Sequence, residues 1–307
     1  MQKTNEKIYT SVWFVAVCAI ICCALWGSAT PFIKIGYQLI LPQVNVPSTI
    51  LFAGIRFTLA GIITVAIYSI ARGKVLIPKR ESYPYILKLS CFQTVIQYFF
   101  FYVGLANTTG VKGTIASGSN VFFAILIASL IFKQEKLTAK KIIACLLGFS
   151  GIIIVNLNGL DLNMNFTGDC FVLFAAISYA TSSVLMKKYS KHEEPVILSG
   201  YQFIIGGIVM IIAGIALGGV ISVNDLKSAA VLIYLAFLSA IAYSLWGILL
   251  KYNPVSKVTV YSFMTPVFGV LLSWLMLSEN SNVSSVNLVI TLILVCSGII
   301  LINYKKD

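Results

Sequence analysis

Acid is scarce in this chain of 307 residues, which holds ten Asp and Glu and a single His. The acids are Glu6, Glu81, Glu135, Asp161, Asp169, Glu193, Glu194, Asp225, Glu279 and Asp307. Each is terminal, in a connecting segment, or at the end of an apolar run. With no carboxylate deep inside such a run, the usual device for trading a proton against a cation has no carrier. His192, in Lys191-His192-Glu193-Glu194-Pro195, has no second histidine to complete a metal site, so no metal or other cofactor is expected. A His/Asp/Glu constellation suited to a membrane enzyme is missing too, and no catalytic residue is expected. The seven cysteines (Cys18, Cys22, Cys23, Cys91, Cys145, Cys170 and Cys296) lie in or beside apolar stretches. Odd in number and absent from loops, they read as small hydrophobes and not as a disulfide framework.

Apolar surface takes the place of charge. Hydrophobic residues make up 59% of the chain, charged residues 10%, and the mean hydropathy is +0.94. That is far outside the soluble range, so the lipid bilayer is the expected solvent. Apolar stretches of spanning length predict ten helices, at 12–35, 48–71, 84–105, 112–132, 140–157, 168–187, 196–217, 229–250, 256–277 and 285–303. Pro42 and Pro47 separate the first two. Asn156-Leu157-Asn158-Gly159-Leu160-Asp161 separates the halves, dividing the chain into 1–160 and 161–307.

The net charge of +12 is explained by membrane topology. With the N-terminus inside, 18 of the 22 Lys and Arg fall on inner segments. Only Lys112 and Lys227 fall in outer loops, while Lys34 and Arg56 lie in or at the end of spans. This alternation follows the positive-inside rule, places both termini in the cytoplasm, and requires no nucleic-acid partner. The first span follows Lys3 and Lys7 but is too long for a secretory signal, and is expected to be retained. No organelle address is read, so the plasma (inner) membrane is the expected location.

The chain is also written twice. Gly54, Phe57, Gly61 and Ile62 recur as Gly200, Phe203, Gly207 and Ile208, an offset of 146 (200 − 54 = 146). Two apolar runs close on a lone glutamate, Glu135 and Glu279. Trp26…Lys34 and Tyr179…Lys187 are a weaker third match. Two halves of five spans each would be inverted relative to one another, the internal symmetry of alternating-access transporters.

Ala24-Leu25-Trp26-Gly27-Ser28-Ala29-Thr30-Pro31-Phe32-Ile33-Lys34 resembles the opening of an EamA-type domain of the drug/metabolite transporter superfamily, as does the pair Arg56-Phe57. Pro266…Glu279, followed by Ser297-Gly298-Ile299, resembles that family's proline-centred helix, closing glutamate and glycine-bearing last helix. The resemblance covers both halves. It implies an all-α membrane fold of two inverted five-helix repeats, and export or exchange of small organic solutes such as amino acids. The chain departs from the pattern at Phe122, which matches Pro266 and gives that helix no proline to bend it. Tyr179 stands where a Trp is common, and Gln202 where the first half has Arg56.

Polar residues within spans are the candidates for solute binding. Arg56 lies about eight residues into its helix, roughly 12 Å deep at 1.5 Å per residue, and its insertion costs at least ~2.5 kcal/mol. Two readings stand: a bidentate clamp on a carboxylate or phosphate, or a side chain that snorkels or caps near Asn45. Lys34 reads as snorkelling, and the two glutamates as structural or gating groups at helix ends. In the third span Gln93 and Gln97, and likewise Tyr98 and Tyr102, are four apart and share a face of an α-helix. Tyr243 and Trp246 stand in the repeat mate. With Trp26, Asn120, Tyr179, Gln202 and Tyr261 they suit a solute with a flat or apolar body and few polar groups. An aromatic cage for a quaternary ammonium is the nearest rival, opposed by Arg56. A scramblase or structural membrane protein would need no polar lining. A monomer suffices to build the cavity, with a dimer as the alternative.

Overall fold

The computed structural model describes residues 2–157, 165–277 and 285–304. All regular structure among them is helical. A short N-terminal helix, α1 (Gln2–Thr10), precedes α2 (Val12–Ile40), α3 (Val46–Arg72), α4 (Arg80–Ala106), α5 (Gly110–Ile131) and α6 (Ala139–Val155). Then come α7 (Phe166–Tyr189), α8 (Pro195–Ala216), α9 (Leu226–Tyr252), α10 (Val255–Leu275) and α11 (Val286–Asn303). Nine are long and apolar enough to cross a membrane. The tenth span is α6, whose 17 residues rise roughly 25 Å, just under the thickness of a hydrocarbon core. Local chemistry sets the ends. The Asn45 side chain accepts from Ser48 N with Pro47 in the first turn, Gly73 closes α3 at φ 61°, and Asp225 opens α9 with a capping box. Lys34 is exposed within α2, which runs on to Ile40. The expected repeat boundary, with Asp161, and Glu279 lie outside the described residues.

The helix contacts come in symmetric sets. Equating α2–α6 with α7–α11, the pair α2·α9 is matched by α7·α4, α2·α10 by α7·α5, and α3·α9 by α8·α4. Two helices pack on their own counterparts, α3 on α8 and α6 on α11. A twofold relation between repeats requires this pattern. Glycine makes the α3·α8 contact possible. A Cβ on Gly54 would lie 2.9 Å from the Gly207 carbonyl oxygen, and one on Gly61 2.5 Å from that of Gly200. Seven residues forward on α3 correspond to seven backward on α8, so these equivalent helices run antiparallel. The repeats are inverted, and the recurring glycines are the surface through which they touch, in the manner of small-residue packing in membranes.

Several spans depart from α geometry. α4 carries a π segment over Ser90–Ile96, α5 another over Ile127–Ile131, and α7 opens with one over Phe166–Cys170. The α4 segment loosens the shared face expected of Gln93 and Gln97, because its bonds close at i+5. α5 breaks between Gly118 and Asn120 without a proline. α10 passes through a 3-10 turn at Val260–Phe263 just before Pro266.

Candidate functional site

The repeat axis passes through a pair of equivalent aromatics. Phe57 of α3 and Phe203 of α8 (203 − 57 = 146) stack with centroids 5.1 Å apart and planes 11° from parallel. Beside them Tyr98 of α4 and Tyr243 of α9, 145 positions apart, share a hydrogen bond between hydroxyls at 3.0 Å. Tyr98 lies 4.5 Å from the Phe57 ring, and Tyr243 4.8 Å from Phe203. Four side chains thus form a closed, nearly symmetric group where the repeats meet.

One charge breaks that symmetry. Arg56 is 3% exposed. Its Nε donates to Ser239 Oγ at 3.2 Å and to the Leu235 carbonyl at 3.4 Å, and its Nη2 donates to Ser239 Oγ at 2.9 Å. The guanidinium is held inside the bundle against α9, which removes the snorkelling and Asn45 readings. No carboxylate forms an ion pair with it among the described residues. Its counterpart Gln202 accepts from Thr94 Oγ1 at 2.7 Å through Oε1. Thr94 and Ser239 are themselves equivalent (239 − 94 = 145), so each repeat offers a hydroxyl to the other's polar group. Sequence reading missed both hydroxyls; extending the repeat alignment along α4 and α9 would have found them.

Trp26 of α2 stands edge-on to three rings: Trp246 at 5.0 Å, Tyr243 at 5.2 Å and Tyr179 at 6.4 Å. Tyr102 lies 5.9 Å from Tyr98 and is buried, as Tyr179 is. The Arg56 guanidinium carbon lies 5.0 Å from the centre of the Phe57 ring. Within this group Nε1 of Trp26 and of Trp246 are buried without a partner, as are Oε1 of Gln93 and of Gln97 on α4, Nε2 of Gln202 on α8, and side-chain atoms of Ser129, Gln134, Ser262 and Thr265. A sealed polar group with no partner costs about 1–3 kcal/mol, so each marks hydrogen-bonding capacity unspent by the fold. Asn120 and Tyr261 make no side-chain hydrogen bond or ring contact with this group, although Tyr261 packs in the same apolar cluster as Trp246. Asn120 is half-buried at the α5 break and makes no hydrogen bond to the group, while the Tyr261 carbonyl accepts from Cys23 Sγ at 3.1 Å.

Both ends of the bundle are tied by polar contacts. At the face where α2 begins, Glu135 accepts from Ser256 N at 3.2 Å and Ser256 Oγ at 2.9 Å, and pairs with Lys141 at 3.3 Å. Lys187 donates to the Leu250 and Asn253 carbonyls, and Asn253 Nδ2 to the Tyr9 carbonyl. At the other face Asp169 of α7 accepts from Thr108 and pairs with Lys112 at 3.9 Å.

An inverted-repeat bundle with a polar, aromatic centre on its axis defines a multi-pass membrane transporter. The sequence model of the EamA-like transporter family matches the chain twice, over residues 13–157 and 166–304, and the chain belongs to that family. It is 24% identical to the uncharacterized transporter YvbV of Bacillus subtilis, across 92% of this chain and 89% of that one. It is 30% identical to an uncharacterized transporter of Acidianus ambivalens, across 70% and 79%. A WAT1-related chloroplastic protein of Arabidopsis thaliana is 24% identical over 90% of this chain and 68% of its own length. One solved crystal structure superposes with a TM-score of 0.78 at 16% identity, covering 94% of this chain and 96% of its own.

Proposed function

We propose that this protein is an alternating-access exporter or exchanger of small organic metabolites, amino acids or related solutes, bound on the axis between its repeats. The observation that carries this reading is that partnerless buried polar atoms fall on Trp26, Trp246, Gln93, Gln97 and Gln202, span residues with no ion pair or hydrogen bond to satisfy those atoms. A purely structural bundle gains nothing from leaving them unpaired. Trp26, Arg56, Gln93, Gln97, Tyr98, Tyr102, Tyr179, Gln202, Tyr243 and Trp246 are the binding residues in this reading. The two knots at Glu135–Ser256 and Asp169–Lys112 close the mouths in turn, and a single chain acts as a monomer in the plasma membrane with both termini cytoplasmic. Reconstitution into liposomes tests it. Counterflow of a labelled amino acid or related metabolite, lost when Trp26 or Gln97 is replaced by Ala in a folded protein, supports the reading. Bilayers that pass lipid between leaflets while excluding every solute contradict it.

A further inference from the structure

The central site carries one buried cation, Arg56, and no carboxylate pairs with it among the described residues. Ser239 and the Leu235 carbonyl occupy Nε and one Nη2 proton of Arg56. Both Nη1 protons and the second on Nη2 have no partner among the described residues. The indole N–H groups of Trp26 and Trp246 can only donate, while the tyrosine hydroxyls and the partnerless oxygens of Gln93 and Gln97 are neutral and supply no counter-charge. A buried guanidinium whose partners are neutral is an uncompensated charge, and burying one is costly unless it is paired. We infer, on the strength of the proposed transport reading, that the cargo is an organic monoanion whose carboxylate sits off the axis on Arg56, its flat or apolar body against Trp26, Tyr179 and Tyr243.

Three features narrow the class this far. A guanidinium presents a planar fork that a carboxylate matches bidentately. One carboxylate leaves the loaded site neutral, whereas a phosphate dianion leaves it negative among rings with no second cation. The equivalent place in the other repeat holds Gln202, whose oxygen is taken by Thr94 and whose free Nε2 is a neutral donor, so a charged head group has one charged end of the site to choose. A quaternary ammonium would find its rings beside a fixed positive charge, which cancels the attraction of an aromatic cage.

The test compares charge classes on one body. Phenylacetate, 2-phenylethanol, phenethylamine and phenyl phosphate are measured by thermal stabilisation of the purified protein and by counterflow in liposomes, beside aliphatic carboxylates, amines, alcohols and amino acids. Carboxylates should bind and be carried in preference to their amines, alcohols and phosphates. Arg56→Gln, checked as folded by gel filtration, should weaken carboxylate binding roughly ten- to hundredfold, the worth of a charged hydrogen bond. Arg56→Lys should recover only part of it. Amines or phosphates carried in preference to carboxylates overturn the inference and leave the transport reading standing, as does a folded Arg56→Gln that takes carboxylates as the parent does. No member of any class bound or carried overturns both.

Discussion

Phe57 and Phe203 are the same position of two repeats and lie face to face, 5.1 Å apart and 11° from parallel. A residue meets its own counterpart only on a symmetry axis, so this stack locates the axis to within a ring. Two polar pairs are arranged about it: Tyr98 against Tyr243, and Arg56 against Gln202.

The glycine contact between α3 and α8 should be intolerant of a side chain. A Cβ on Gly54 would lie 2.7 Å from Ile211 N, in backbone that cannot step aside. Gly54→Ala should destabilise by about 1–3 kcal/mol through overpacking, seen as a lower melting temperature of purified protein. Gly110→Ala, with nothing within 4 Å, is the control and should melt with the parent. Equal melting of both variants would contradict the packing described.

Tyr98 and Tyr243 share one hydrogen bond, so their effects should not add. Tyr98→Phe and Tyr243→Phe should each cost about 0.5–1.5 kcal/mol of stability. The double variant should cost clearly less than the two together, because the second change has no bond left to break. Additive losses in chemical denaturation would mean the hydroxyls act separately.

Gln97→Ala removes an amide whose oxygen has no partner in the protein. Folding should be unaffected, while solute affinity falls about two- to tenfold, the worth of one neutral hydrogen bond. Melting curves and binding isotherms on one sample separate the two. A fall in melting temperature with affinity intact would assign Gln97 to the scaffold.

Flux should follow the solute gradient, with only modest pH dependence. The described acids sit at helix ends or in connections, where Asp169 and Glu135 are already paired. Uphill uptake driven by a proton gradient in liposomes, abolished by Glu135→Gln, would place a coupling carboxylate where none is expected.

Topology can be read by labelling single cysteines introduced into a cysteine-free background. Lys79, Lys136 and His192 should be reached from the cytoplasm and Asp225 from outside. Labelling of Asp225 and His192 from the same side would break the alternation of spans.

Much of the fold was legible because membrane burial writes a simple code. Spanning length gave the helices, loop charge gave a consistent alternation, and the repeated glycines gave the duplication. The site was legible in part. Arg56, Trp26, Tyr98, Tyr102, Tyr179, Tyr243 and Gln202 gather as their polarity within apolar runs suggested. Asn120 and Tyr261 make no polar or ring contact with them; they lie beside the α5 break at Ser119 and in the 3-10 turn of α10. The α5 break has no residue signal as plain as an inserted proline, whereas the α10 turn ends three residues before Pro266. Ser239 and Thr94 escaped notice because a hydroxyl in a span is ordinarily satisfied by its own helix, as Ser239 is by Leu235.

An object made of two copies of one shape, tilted unequally, can reach its opposite pose by letting the copies exchange tilts. If the copies were identical, the two poses would be equal in energy and equally populated. Whatever preference this protein has for facing one side of its membrane must therefore come from positions where the copies disagree. At the axis one such disagreement is a single letter, Arg56 for Gln202, so the residue proposed to hold the cargo is also a weight on that balance.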